Sequence, residues 1–139
     1  MAIQLRQTTR SNRLDQIDTD IGATGLMRIY TGAQPTNCQT ANSGTLLAEI
    51  TLPNPAFQSA SAGSMQKSAS AWQDTSADGT GTAAHFRIYN SATPGDGTTT
   101  TILQGSVGQG TGDLSLDNTS INSGQQVTIT TFTLTDGNA

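Results

Sequence analysis

The amino-acid sequence predicts an all-β fold: a single antiparallel β-sandwich or jelly roll with a short N-terminal arm or helix. The chain has 139 residues, a usual size for one domain. Only 12% of the residues are charged, and about two dozen threonines stand in their place, with many Ser, Gly and Asn residues. Threonine favours strands, whereas Gly, Asn and Ser favour turns. Roughly seven or eight short strand-like runs separated by turn signals are typical of a sandwich.

The chain divides into two parts by composition. Residues 1–25 contain Arg6, Arg10 and Arg13 and form the predicted arm or short helix. Residues 26–139 form the predicted β-sandwich domain. No repeat of fixed period runs through the chain, which disfavours propellers and solenoids.

The N-terminal part contains one short amphipathic pattern. Ser11 or Asn12 is expected to cap a helix, and Gly22 and Gly25 to end it. The apolar residues of the helix recur at i, i+3 and i+7, at Leu14, Ile17 and Ile21. A helix of about two turns is unstable alone in water, so it must dock on something. Two interpretations remain open: the helix packs on its own domain, or it is an arm that reaches a neighbouring subunit.

Strands are predicted in the rest of the chain where apolar residues alternate between Gly and Pro punctuation. The predicted ranges are 26–31, 45–52, 64–72, 82–90, 99–107, 114–116 and 126–135. In the last range the apolar phase slips, because Val127 and Ile129 share one face while Phe132 and Leu134 occupy the other. Such a slip predicts a β-bulge or a strand that changes sheets.

Charge and hydropathy exclude two classes of partner. The net charge is −4 and the sequence pI is about 4.5, whereas a nucleic-acid-binding domain is usually strongly basic. No window approaches the apolar length of a membrane span, and the first residues lack the apolar run of a secretory signal. We therefore expect no nucleic-acid partner, no membrane partner and synthesis in the cytoplasm.

The candidate residues for chemistry do not assemble into a catalytic set. His85, the single histidine, lies within a predicted strand and is interpreted as a surface or interface residue. Cys38, the single cysteine, lies in a polar loop without the context of a nucleophile. The sequence therefore predicts no catalytic residue and no enzyme activity.

One stretch resembles a calcium loop in part. Asp74, Ser76 and Asp78 place oxygen ligands at positions 1, 3 and 5, and Gly79 follows at position 6. Position 12, which should be Glu, is His85, and the flanks are strand-like instead of helical. A turn stabilised by side chain to backbone hydrogen bonds is the preferred interpretation. No metal site and no cofactor are predicted.

Four blocks of sequence carry a family resemblance. They are LMRIYTGAQP (26–35), SGTLLAEITLPNPAF (43–57), DTSADGTGTAAHFRIYNS (74–91) and GQQVTITTFTLT (124–135). Together they resemble a group of small structural proteins of tailed bacteriophages, which includes the jelly-roll capsid cement, or decoration, proteins of short-tailed phages. The resemblance covers most of residues 10–135.

The resemblance implies a non-enzymatic virion protein on the outer surface of the capsid that binds and cements the shell of major capsid protein. Self-association is also expected, as a homodimer or a trimer. The expected contact with the shell is the N-terminal arm, through Arg6, Arg10, Arg13, Leu14 and Ile17. The alternative is a tail or fibre β domain that binds a host receptor or carbohydrate, which would expose aromatic side chains such as Trp72 and Tyr89.

Overall fold

The structure is a computed structural model that describes residues 2–137, and it is mostly β with one short helix. Helix α1 spans Gln7–Ile21 and is followed by a 3₁₀ turn over Gly22–Thr24. The strands are β1 (Leu26–Tyr30), β2 (Leu46–Thr51), β3 (Ser64–Gln66), β4 (Trp72–Asp74), β5 (Gly81–Thr82), β6 (His85–Tyr89), β7 (Thr101–Gly108), β8 (Leu114–Ser115), β9 (Ser120–Ile121), β10 (Val127–Ile129) and β11 (Thr133–Thr135). No helix within residues 2–137 is long and apolar enough to cross a lipid bilayer.

The largest sheet has five strands in the order β2-β1-β6-β7-β8. Its first four strands pair antiparallel, but β8 pairs parallel to β7, so the sheet is mixed. The expectation of a purely antiparallel domain is therefore wrong at this pair. Three two-stranded ladders complete the β structure: β10 with β4, β11 with β3, and β5 with β9.

One face of the five-stranded sheet supplies the hydrophobic core. Pairing aligns Met27 with Ile88 and Ile29 with Phe86, and all four side chains are buried. The ring of Phe86 meets that of Phe132 edge to face at a centroid distance of 5.3 Å. Phe132 in turn packs beside further buried aromatic rings, those of Phe57 and Trp72. This aromatic cluster joins the sheet to the segments that carry β4 and β11.

The phase slip near the end of the chain has the predicted consequence. Val127 and Ile129 lie in β10 and pair with β4, whereas Leu134 lies in β11 and pairs with β3. The chain changes ladders between the two strands, and Phe132 points into the core from the connection. The prediction of a strand that changes partners is confirmed.

Helix α1 packs on its own chain. Leu14 and Ile21 belong to the core. The helix begins at Gln7, four residues before the predicted cap at Ser11, so the predicted start is wrong. The Ser11 hydroxyl lies within the helix and accepts the backbone N–H of Gly63. The C-terminal end of the helix is as predicted, since Gly22 follows the last helical residue with φ of 64°.

The opposite face of the sheet buries a polar cluster that we call the Arg87 cluster, comprising Arg87, Gln104, Asn42, Tyr89 and Tyr30. The Arg87 guanidinium is fully buried and donates to the side chains of Gln104 and Asn42. The Tyr89 hydroxyl donates to Asn42 at 2.8 Å and lies 2.8 Å from the Tyr30 hydroxyl. Burial and the hydrogen bond with Tyr30 raise the pKa of Tyr89 well above its ordinary value.

The Arg87 cluster also fixes the long connection between β1 and β2. Arg87 donates to the carbonyl oxygens of Asn37 and Thr40 at 3.1 and 2.7 Å. His85 lies on the same face, fully buried, with Nδ1 2.9 Å from the carbonyl oxygen of Gly32. The interpretation of His85 as a surface residue is wrong, because this connection covers the face that the alternating pattern left open to solvent.

Candidate functional site at helix α1

The accessible positive charge of residues 2–137 is concentrated at α1. Three of the six cations are engaged elsewhere: Arg28 bonds Glu49, Arg87 is buried, and the Lys67 ammonium donates to the carbonyl oxygens of Ser68 and Ser70. The other three cations are Arg6, Arg10 and Arg13. The protein as a whole is acidic, so the N-terminal end of α1, together with Arg6, is a local basic feature on an acidic molecule.

Two of the three carboxylates of α1 bond to the body of the domain, and the third, Asp20, is exposed near the C-terminal end of the helix. The Asp18 carboxylate accepts the backbone N–H groups of Ala56 and Phe57 at 3.0 Å each. The Asp15 carboxylate accepts the backbone N–H of Ala60 at 2.7 Å. These bonds hold the helix against the 56–60 segment, and the charged side chains of the first half of the helix are those of Arg10 and Arg13.

The three arginines differ in how much of each side chain a partner protein could contact. Arg6 immediately precedes the helix and is exposed. Arg10 is half-buried and donates from Nη1 to the carbonyl oxygen of Asp136 at 2.8 Å. Arg13 forms an ion pair with the Asp136 carboxylate at 3.3 Å, yet its side chain remains 60% exposed. Arg6 and Arg13 are therefore the cations that a partner can contact without disturbing the fold.

The other two predicted contact residues lie along a groove that we call the α1–β7–β11 groove. Leu14 is only 4% exposed and serves mainly the core, while Ile17 is half-buried at the surface. The groove consists of two depressions of about 400 and 500 Å³, both of which include Ile17 and Thr135 in their walls. Its further apolar lining comes from Phe86, Leu103, Phe132 and Leu134.

One wall of the groove is an incompletely paired strand edge. Within the part of the chain that the structure describes, β8 pairs with β7 only at Val107 and Gly108. The Ser106 N–H beside this pair donates to the Asp113 carboxylate at 2.8 Å. No strand among residues 2–137 pairs with the outer edge of β7 from Thr101 to Gly105. Such an edge can add a strand from another polypeptide.

The candidates for chemistry lie outside this region. His85 is buried on the other face of the sheet, where burial lowers its pKa, as does the nearby Arg87 guanidinium. The Asp74 carboxylate accepts the backbone N–H groups of Ser76 and Glu49, which confirms the predicted turn. Residues 2–137 contain no cluster of three or more His, Cys, Asp or Glu side chains arranged to hold a metal ion.

Asp78 is the one carboxyl group of that turn with an altered proton affinity. Burial raises its pKa, and the neighbouring Asp74 and Glu49 carboxylates add to the effect. The residue is nevertheless exposed at the surface of the turn. Its raised pKa follows from partial desolvation of the carboxyl group and then from the neighbouring carboxylates, and it does not by itself mark a reactive group.

Sequence reasoning found the arginines of the site but missed the groove beside them. Leu103, Phe132 and Leu134 come from distant parts of the chain, and only the pairing of the strands brings them together. The one sequence feature that could have indicated an apolar depression here is Ile17, an apolar residue among the polar residues of α1. Comparisons with protein-family models, with curated proteins and with solved structures find no match to this chain.

Proposed function

We propose that this chain is a non-enzymatic structural protein of a bacteriophage virion that binds and cements the shell of major capsid protein. The accessible side chains of Arg6 and Arg13 at the N-terminal end of α1 carry the proposal, because a local group of positive charges on an acidic domain fits an acidic protein surface. The four sequence blocks that resemble phage structural proteins support it. The proposed location is the outer surface of the capsid.

The proposal includes a jelly-roll arrangement of the β structure. The change of ladders between β10 and β11 supports this assignment, since strands that pass between layers are typical of such folds. A jelly roll would present α1 on the outside of a rigid body, where it can contact a flat surface such as a capsid shell.

In this function Arg6 and Arg13 bind carboxylates of the shell, and the contacts of Arg10 and Leu14 hold the helix that presents them. The contact depends on charge and is expected to weaken as salt screens it. Arg10, through its bond to Asp136, and Leu14, through its burial, are positioning residues that hold Arg6 and Arg13 in place.

A binding assay on capsids tests the proposal. Purified protein is added to phage particles that lack it, and the bound fraction is measured by sedimentation at several salt concentrations. The double variant R6Q/R13Q should bind at least tenfold more weakly than the wild type. The control T99E/Q109E makes the same change in net charge at exposed positions remote from α1 in sequence, and it should bind as the wild type does.

Two results would overturn the proposal: wild-type protein that does not sediment with the particles, or an R6Q/R13Q variant that binds as tightly as the wild type. The number of copies per virion provides a second measurement. Hundreds of copies are expected for a shell protein, whereas a few to a few dozen would indicate the tail or fibre alternative.

The receptor-binding alternative requires exposed aromatic side chains, and the two residues considered for that role are not exposed. Trp72 and Tyr89, the aromatic residues that a carbohydrate site would expose, are both fully buried. Trp72 belongs to the aromatic cluster of the core, and Tyr89 to the Arg87 cluster. We therefore place capsid binding ahead of carbohydrate binding.

A further inference from the structure

We propose that the α1–β7–β11 groove binds residues 2–6 of a second copy of this chain, which adds a strand to the free edge of β7. The inference deepens the proposed function and takes its biological role from it, because exchanged segments would link neighbouring copies on a shell. Four observations carry it: an exposed apolar side chain, the shape of the groove, the reach of the segment and the distribution of charge.

The segment before α1 has the pattern of an edge strand. Residues 2–6 (AIQLR) adopt no helix, and Arg6 has an extended backbone, with φ of −59° and ψ of 142°. Ile3 and Leu5 alternate with Gln4 and Arg6, so one side of an extended segment is apolar. Ile3 is 86% exposed and is the one large hydrophobic side chain exposed among residues 2–137.

The groove provides both a strand edge for pairing and an apolar surface. The edge of β7 from Thr101 to Gly105 supplies backbone groups for pairing, and the apolar lining supplies contacts for alternate side chains. An extended strand beside β7 would place Ile3 near Leu103, Phe132 and Leu134. Burial of a side chain the size of isoleucine is worth about a tenfold change in affinity or more.

The segment cannot reach the centre of the groove of its own chain. Ile17 follows Gln7 by ten residues, which is about 15 Å along the helix axis. If the chain folded back at Arg6, Ile3 would reach at most about 10 Å in that direction. Residues 2–6 of the same chain therefore do not reach the part of the groove between Ile17 and Leu103, which leaves it open to the segment of a second molecule.

The charges are complementary. The segment carries one charge, the guanidinium of Arg6, and no carboxylate side chain. The groove contains the Asp113 and Asp136 carboxylates and one cation, Arg13. A segment with one positive charge therefore enters a groove with a net negative charge, and two copies can exchange segments reciprocally about a two-fold axis.

Sedimentation equilibrium of the purified protein, without phage particles, tests the exchange. The wild type should be dimeric, and Ile3→Asp should raise the dimer dissociation constant at least tenfold. Gln4→Asp adds the same charge to the other side of the segment and is the matched control, expected to leave the dimer intact. A monomeric wild type, or an Ile3→Asp variant that dimerises as tightly as the wild type, would overturn the inference.

A cross-linking experiment locates the contact. In a background with Cys38→Ser, which removes the free cysteine, one chain carries Ile3→Cys and a differently tagged chain carries Leu103→Cys. Mild oxidation of the mixture should give a disulfide between the two tags. If Ile3→Cys forms no link to Leu103→Cys of the other chain while a dimer is present, the groove is not the site and the inference fails.

These outcomes are separable from those of the capsid assay. R6Q/R13Q removes charges that the exchange also uses, so its dimer dissociation constant is measured beside its capsid binding. Ile3→Asp leaves both arginines in place and tests the apolar contact in a solution that contains no shell. A protein that binds capsids as a monomer would overturn the exchange and leave the proposed function standing. A dimer that does not bind capsids would overturn the proposed function and leave the exchange of segments standing.

Discussion

The carboxylate of Asp18 accepts the backbone N–H of Phe57 at 3.0 Å and so connects α1 to the middle of the chain, 39 positions away. The same oxygen accepts the N–H of Ala56 at 3.0 Å. Asp18→Ala leaves both donors without this acceptor and should lower the free energy of unfolding by about 1–3 kcal/mol. Urea denaturation measures this change.

Asp20→Ala is the control for this prediction. Asp20 is exposed on the same helix and accepts only a surface hydrogen bond from Gln16. Its loss should cost less than about 0.5 kcal/mol. Equal effects of the two substitutions would show that Asp18 acts only as a surface carboxylate.

Removal of the buried guanidinium should be among the most damaging single changes. Arg87→Met leaves the carbonyl oxygens of Asn37 and Thr40 without their donor and should destabilise the protein by more than about 3 kcal/mol. Arg28→Met is the matched change at a partly exposed arginine, whose ion pair with Glu49 is worth about 1 kcal/mol or less. Thermal unfolding of both variants measures whether Arg87→Met lowers the stability more than Arg28→Met does. A smaller loss of stability for Arg87→Met would contradict the prediction.

His85 should make stability depend on pH above the range in which carboxylates titrate. Burial, and secondarily the charge of Arg87, lower its pKa in the folded protein, while in the unfolded chain it titrates near about 6.5. Below that pH the unfolded state binds the proton first, so the free energy of unfolding should fall as the pH decreases from 7.5 to 5.5. His85→Asn should lack this component of the decrease. Parallel curves for the two proteins over that range would contradict the assignment to His85.

Gly105 is a position of β7 where the structure leaves no room for a side chain. A Cβ there would lie 2.7 Å from a ring carbon of Phe86 and 3.0 Å from the Asp113 carboxylate that accepts the Ser106 N–H. Gly105→Ala should therefore destabilise the protein by about 1–3 kcal/mol. Gly137→Ala, which meets nothing within 4 Å, should have no measurable effect in the same denaturation assay.

Local patterns predicted the strands that have strong apolar alternation and clear boundaries. Leu26–Tyr30 and Leu46–Thr51 are within one residue of the predicted ranges at either end, because Gly or Pro residues punctuate the chain on both sides. The short strands β5 and β9 pair over only two residues each and carry too little pattern to be separated from turns.

Features set by tertiary contacts could not be predicted in this way. An alternating strand with His85, Arg87 and Tyr89 on one side is normally half-exposed, and nothing local shows that the 31–45 connection covers it. The start of α1 differs from the prediction because Ser11 resembles a capping residue in sequence, whereas its hydroxyl bonds to Gly63, which is far away along the chain. The groove likewise depends on which strands become neighbours, and the alternation within each strand carries no information on that.

The attachment of α1 has a mechanical consequence. Leu14 and Ile21 lie in the core, and Asp15 and Asp18 are bonded to the backbone of the 56–60 segment. A force applied at Arg6 or Arg13 would therefore be transmitted directly to the β structure, because α1 is attached to the domain by core packing and hydrogen bonds. In the capsid contact that we propose, a pull on α1 would therefore be resisted by the core contacts of the helix and by its hydrogen bonds to the 56–60 segment.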